Sequence, residues 1–382
     1  MIGAIIGDLV GSRWEFNPTN DYKFEWLSAE NDFTDDTICT VAVADAILNH
    51  RDYGESIHEW CRKYPHPKGG YGGRFAQWVR SDHPQPYGSY GNGSAMRVSP
   101  IGMWFDHIDD VMAEAKKSAE CSHNHEEGIK GAQTVAATIH QALVLRGEMM
   151  PAPKRMKKLM AYAKKISGYD IDIKKKAVIN RFDETCQGTV PVALWIISQS
   201  EGFEDAIRRA ISLGADADTL GAIVGGMAEV IWGVPEKLKQ DAMAYLPDEM
   251  KQVMNQFYQS VDKKRIEAFA SKYITFFEHD FSVNSRSYID FLGNGDFPND
   301  CRFLDFEMDC GESFINAYGE SAWYGYDVLK ERIDRIDNVK VIGSALFSKW
   351  RFFNHWSCGP AEESDIQWFL ALFYKLKSLM DK

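Results

Sequence analysis

Glycines at positions 3, 7 and 11 stand four residues apart in an apolar opening, Gly3-Ala-Ile-Ile-Gly7-Asp8-Leu-Val-Gly11. That spacing aligns them along one stripe of a helix. A stripe without side chains lets another helix or backbone segment approach closely. A second run of small residues, Gly221-Ala-Ile-Val-Gly225-Gly226-Met-Ala228, recurs far along the chain. Close helix packing is the first constraint on any fold this chain adopts. Asp8 and Glu15 lie seven residues apart, so a continuous helix would project both carboxylates from one face.

Apolar residues recur with helical period over Thr37–His50, Val111–Ala119, Glu126–Leu145, Pro191–Gln199, Phe203–Ser212 and Thr219–Trp232. Between them, 66–73 and 83–93 are rich in Gly and Pro, the composition of turns and loops. The reading is an all-α domain with long glycine-rich connections. Of 30 glycines, 23 fall in residues 1–262, whereas 24 of the 49 aromatics fall in the last 120 residues. The shift predicts a domain over 1–260 and a smaller aromatic-rich one over 261–382, α or α+β. Strands are expected within Ile289–Tyr326, and Asp365–Met380 reads as a closing amphipathic helix.

The formal net charge of −12 over 382 residues excludes polyanion binding through bulk charge. In the tail, 15 Lys+Arg face 19 Asp+Glu, so the basic footprint of a nucleic-acid binder is missing there too. The run Lys349-Trp-Arg-Phe-Phe-Asn-His-Trp356 could stack a base, but a core segment with snorkelling charges is the plainer reading. Apolar runs are far shorter than the roughly 20 residues that span a bilayer, and no basic n-region opens the chain. Neither membrane insertion nor a signal peptide is expected. Seven scattered cysteines without a CxxC pair point to a reducing cytoplasm.

Two clusters combine acids with threonine at helix starts. Thr34-Asp35-Asp36-Thr37 opens one helix, and Asp216-Ala-Asp218-Thr219 opens another. An N-cap explains one acid per site. Two adjacent acids with hydroxyls also suit a hard cation, which prefers oxygen ligands. If the clusters converge, four carboxylates suffice for two ions, and cations would relieve their repulsion. Gly91-Asn92-Gly93-Ser94 feeds a further helix and is either a phosphate cradle or a structural turn. His123 and His125 precede a helix without a third ligand that would suggest zinc.

In this order, Gly7-Asp8…Gly11…Glu15, Phe33-Thr34-Asp35-Asp36-Thr37, Gly91-Asn92-Gly93-Ser94-Ala95-Met96-Arg97 and Gly214-x-Asp216-x-Asp218-Thr219 resemble the ADP-ribosylglycohydrolase family, which includes the dinitrogenase reductase-activating glycohydrolases. The resemblance covers roughly residues 1–245. It implies an all-α fold and hydrolysis of the glycosidic bond between ADP-ribose and an acceptor. It also implies a binuclear Mg²⁺ centre, sometimes Mn²⁺, held by Thr34, Asp35, Asp36, Asp216, Asp218 and Thr219. Catalysis is assigned on that basis to Glu15, Asp35 and Asp218. Substrate contacts are assigned to Gly91, Asn92, Gly93, Ser94, Met96 and His123. Ser122 stands where the family is expected to carry Thr. The implied partner is an ADP-ribosylated protein or small molecule, and ADP-ribosylated nucleic acid stays open. The rival readings are a catalytically silent ADP-ribose binder or structural relative, and a hydrolase of another ribosyl-linked molecule.

Overall fold

A computed structural model describes residues 1–146, 150–281, 297, 304, 312–355 and 362–381. In chain order the helices of the first part are α1 (Ile2–Gly11), α2 (Asp35–Leu48), α3 (Tyr53–Lys63), α4 (Gly73–Arg80), α5 (Gly93–Met96), α6 (Ser99–Trp104), α7 (Ile108–Glu120) and α8 (Glu126–Arg146). There follow α9 (Ala152–Ser167), α10 (Lys175–Val178), α11 (Cys186–Gln199), α12 (Phe203–Ile211), α13 (Ala217–Trp232), α14 (Glu236–Met243) and α15 (Asp248–Thr275). Among the described residues there is no strand, and Gly91 and Thr185 form an isolated antiparallel bridge. The architecture is all-α.

The chain divides into two compact units, Met1–Arg146 with Met150–Tyr258, and Gln259 onward. The division falls inside α15 rather than in a loop.

The first unit is organised by the glycine stripe. Every residue of α1 is buried, as are Ala217 to Val230 of α13. The two helices run antiparallel, with Gly3 against Gly225, Gly7 against Gly221 and Gly11 against Ala217. A Cβ at Gly7 would lie 1.9 Å from the Gly221 carbonyl oxygen, and one at Gly225 2.0 Å from that of Gly3. The backbones therefore touch, with no room for a methyl group. The carbonyls of Leu9 and Val10 at the C-terminal end of α1 accept from the buried Asn31 amide at 2.7 and 3.3 Å. That satisfies groups a helix end otherwise leaves unpaired and ties down the segment leading to α2.

The second unit has an aromatic core. Tyr273 stacks on Phe373 at 5.5 Å, and Phe277 stacks on Phe369 at 5.1 Å. The C-terminal helix spans Glu363–Met380. Where strands were expected, the described residues Glu312–Tyr318, Glu320–Tyr324 and the helix starting at Tyr326 are helical, and the remainder of 289–311 lies outside the described residues apart from 297 and 304. In the run 349–356, Lys349 and Trp350 are buried. Lys349 Nζ lies 3.1 Å from Asp365 and 5.3 Å from the Trp368 ring centroid. The side chains of 352–356 lie outside the described residues.

The backbone contact gives a sharp test. Gly7→Ala should lower stability by about 3 kcal/mol or more, because the clash is with backbone that no rotamer change relieves. Gly73→Ala, where an added Cβ meets nothing within 4 Å, should stay within about 1 kcal/mol of wild type in urea denaturation.

Candidate active site

The antiparallel contact of α1 and α13 carries Asp8, near the end of one helix, to the beginning of the other. The N-terminus of α2 joins them. Asp8 is fully buried and accepts four hydrogen bonds: from the Thr34 and Thr37 amides at 3.0 and 3.1 Å, and from their hydroxyls at 2.7 and 2.5 Å. Both of its oxygens are thus engaged, and the first turn of α2 is locked onto α1. Thr34 at the same time caps α2, accepting from the Asp36 amide at 3.2 Å. The N-cap reading of this motif is correct for Thr34, and the two acids after it do something else.

Asp36 and Asp218 come from helices α2 and α13, and both are almost fully buried. Thr219 Oγ1 donates to Asp36 Oδ2 at 3.2 Å. The second oxygens, Asp36 Oδ1 and Asp218 Oδ1, are buried without any hydrogen-bond partner. Carboxylate oxygens of Asp8, Asp36 and Asp218 lie within 4.8 Å of one another. Asp216 is held by the Asn92 amide, which donates to its Oδ2 at 2.7 Å and to Thr189 Oγ1 at 3.1 Å. Asp35 and Glu15 are half-buried and face the adjoining cleft.

Glu15 does not share a helical face with Asp8. The helix stops at Gly11, where the Trp14 amide closes a turn onto the Gly11 carbonyl at 2.7 Å. The chain then swings Glu15 against the backbone of Gly69, whose φ of 75° and lack of a side chain permit the contact. Glu15 Oε2 is shielded and without a partner.

So many carboxylates in one place strain their ionisation. Burial raises Asp8 to about 6 even though its four donors pull the other way. Burial, then the charge of Asp216, raises Glu15 to about 7. Burial, then Asp8 and Glu15, raises Asp35 to about 8. Asp36 and Asp218 are pushed well above the ordinary carboxylate range, first by burial and then by their acidic neighbours. The N-termini of α2 and α13 offset part of this through their dipoles. Unpartnered, closely spaced, oxygen-only ligands of this kind fit a hard divalent cation.

The cleft has a volume of about 360 Å³ and is lined by Glu15, Asp35, Asp216, Asp218 and Thr219, and also by Gly91, Asn92, Gly93, Met96, Arg97 and His123. Tyr71, Phe75 and Tyr87 form aromatic walls. A larger cavity, about 590 Å³, holds Asp216 but none of the unpartnered oxygens, so the chemistry belongs to the smaller one. The glycine-rich turn is docked by the Asn92 amide N–H donating to the Glu184 carbonyl at 2.7 Å and the Cys186 amide donating to that of Tyr90 at 2.9 Å. Gly91 and Gly93 lie under His123, with Cβ positions that would be 3.5 and 3.2 Å from its Nε2. The Ser94 side chain turns away from the cleft and donates to the Gly128 carbonyl at 2.8 Å. His125 is exposed, and its Nδ1 accepts from the Glu127 amide at 3.1 Å.

The ADP-ribosylglycohydrolase family model matches residues 1–273. The chain belongs to the ADP-ribosylglycohydrolase family. It is 26% identical over 260 residues to ADP-ribosylarginine hydrolase Tri1 of Pseudomonas putida, with 61% of this chain and 70% of that protein covered. It is 25% identical over 323 residues to human ADP-ribosylhydrolase ARH3, covering 64% of this chain and 88% of the relative. A solved ADP-ribosylglycohydrolase-related protein complex shares the fold, with a TM-score of 0.51 at 21% identity over 67% of this chain and 96% of the other.

Several residues of this site are not legible from local sequence. Asp8 stands in the Gly7-Asp8 motif and in a seven-residue pair with Glu15, but its role as the anchor of α2 needs the fold. Glu184, Thr185 and Thr189 carry no motif, and they support the cleft because Gly91 pairs with Thr185. Arg97 stood in the glycine-turn motif without a task.

A raised carboxyl keeps a proton that the unfolded chain releases, so its contribution is complete below about pH 4 and is lost as pH rises through the folded value. In EDTA-treated buffer the melting temperature should therefore fall between about pH 5.5 and pH 8. Asp218→Asn should flatten that slope and raise the pH 8 midpoint by several degrees, a gain of about 1–2 kcal/mol. Circular dichroism melts at the two pH values check both.

Proposed function

We propose that this protein removes ADP-ribose from an acceptor by hydrolysis of the glycosidic bond at the ribose anomeric carbon, with two Mg²⁺ (or Mn²⁺) as cofactors. The observation that carries the reading is the pair of unpartnered buried oxygens, Asp36 Oδ1 and Asp218 Oδ1, brought together from helix starts 182 residues apart in sequence. Around them, Thr34, Asp35, Asp216 and Thr219 complete an oxygen-only set. When bound, such cations supply charge that orients ribose hydroxyls and a nucleophilic water.

The remaining work falls to the chain. Cleavage of the anomeric bond builds oxocarbenium character on the ribose, which surrounding carboxylates stabilise. Glu15, beside Asp35 in the cleft, has a free oxygen and a pKa raised by burial and by Asp216 to about 7, so it can take a proton from the attacking water near neutrality. The water oxygen bonds to the anomeric carbon, the acceptor leaves with the bonding pair, and the proton taken by Glu15 is available for return to it. Gly91, Gly93 and His123 line the part of the cleft that would take the pyrophosphate, and Met96 lines the same cleft. Asn92 serves the reaction by holding Asp216. Tyr71, Phe75 and Tyr87 offer flat apolar surface for the rest of the ligand.

The linkage is the finer question. Tri1 is named for ADP-ribosylarginine, so arginine-linked ADP-ribose heads a panel that includes serine, Asp/Glu and nucleic-acid conjugates. Mass spectrometry of released ADP-ribose should show turnover that EDTA abolishes and Mg²⁺ restores. Asp36→Ala and Asp218→Ala should leave no measurable turnover. Glu15→Gln should lower kcat by about a hundredfold or more. Wild-type release by folded Asp36→Ala and Asp218→Ala proteins in EDTA would refute the proposal.

A further inference from the structure

Arg97 follows α5 and is fully buried beneath the cleft it helps to line. Among the described residues no carboxylate pairs with it. Its Nη2 donates to the Ser118 carbonyl at 2.6 Å and to Ser122 Oγ at 3.1 Å, while Nε and Nη1 have no partner. Ser122 Oγ in turn lies 2.8 Å from His123 Nδ1.

The chemistry of these groups orders their protons. A guanidinium only donates, so Arg97 occupies a lone pair of the Ser122 hydroxyl and leaves the hydroxyl proton to go elsewhere. Two acceptors are in reach, His123 Nδ1 at 2.8 Å and Cys121 Sγ at 3.7 Å. The imidazole nitrogen is nearer and by far the stronger acceptor. Nδ1 thus accepts, and the ring proton resides on Nε2. The ring is fixed as well: the His123 amide donates to the Ala119 carbonyl at 2.7 Å, and Phe75 and Tyr87 flank the imidazole at 6.3 and 6.0 Å. Nε2 faces the cleft beside Gly91 and Gly93.

We propose that Arg97 and Ser122 are positioning residues that lock His123 in the Nε2–H tautomer, so that it presents a directed, uncharged hydrogen-bond donor to a phosphoryl oxygen of the ligand. Burial, and secondarily the charge of Arg97, hold the imidazole well below its ordinary pKa, in keeping with a ring that stays neutral. The unpaired guanidinium therefore does two things: it orders the hydroxyl, and it disfavours a second proton on the ring. Thr in place of Ser122 would keep the relay, since only the hydroxyl is used. The phosphoryl assignment rests on the proposed ADP-ribose reading of the cleft, whereas the tautomer does not.

The test uses full-length protein labelled with ¹⁵N-histidine, the His123 signals being assigned by their loss in His123→Gln. Long-range ¹H–¹⁵N spectra should show Nε2 protonated and Nδ1 bare from about pH 6 to pH 8. Ser122→Ala should give mixed tautomers, and Ser122→Thr should restore the wild-type pattern. Free ADP-ribose should shift the Nε2 resonance. With turnover in hand, Ser122→Ala should raise KM about three- to tenfold, the worth of one hydrogen bond, with kcat changed less than about twofold. A proton on Nδ1 in wild type, an unchanged tautomer in Ser122→Ala, or an Nε2 signal indifferent to ADP-ribose would each overturn the assignment. Absence of turnover on every acceptor, with the tautomer and the ADP-ribose shift present, would sink the hydrolase reading and leave this one standing.

Discussion

The backbone contact between α1 and α13 is the constraint on which the site depends. At Gly7 and Gly221 the two helices are as close as peptide groups allow, with no side chain between them. That closeness sets the distance from Asp8 to Asp218, and Asp8 then fixes α2 through four hydrogen bonds. The register of one glycine stripe thereby places three carboxylates within 4.8 Å. A looser packing of Ala or Leu side chains would spread them beyond the reach of a common ion.

This arrangement runs against stability. Hydrogen bonds to the charged form usually hold a buried carboxylate low, yet Asp8 with four donors still sits at about 6. Asp36 and Asp218 have fewer donors and more acidic neighbours, so their oxygens are unsatisfied in the chain alone. Stability is given up at the place where function needs it, a familiar trade at active sites. The remainder of the first unit offsets that cost with its buried helices.

Local chemistry explains what was legible in the sequence. The glycine stripes, the helical periods and the two Asp/Thr clusters are patterns within a few residues, and the all-α fold follows from them, whereas the convergence of Asp36 with Asp218 needs the tertiary structure. Glu15 was assigned to the cleft by resemblance, yet its placement by helical spacing failed, because three residues past Gly11 a turn replaces the helix and periodicity no longer applies. The resemblance implies a ligand contact for Ser94, but its hydroxyl donates to the Gly128 carbonyl, a partner 34 residues away that no local pattern reveals. Glu184, Thr185 and Thr189 are invisible for the same reason: their roles exist only once Gly91 pairs with Thr185.

The hydrogen bond from Asn92 to Asp216 joins the glycine-rich turn to the acidic cluster directly. A change in the charge that Asp216 presents bears directly on the buried amide that the turn supplies. Linkage is reciprocal, so any free energy that filling the acidic cluster lends to ligand grip at the turn must be returned in full when the ligand arrives first. The two halves of the cleft are thus joined through a buried amide side chain.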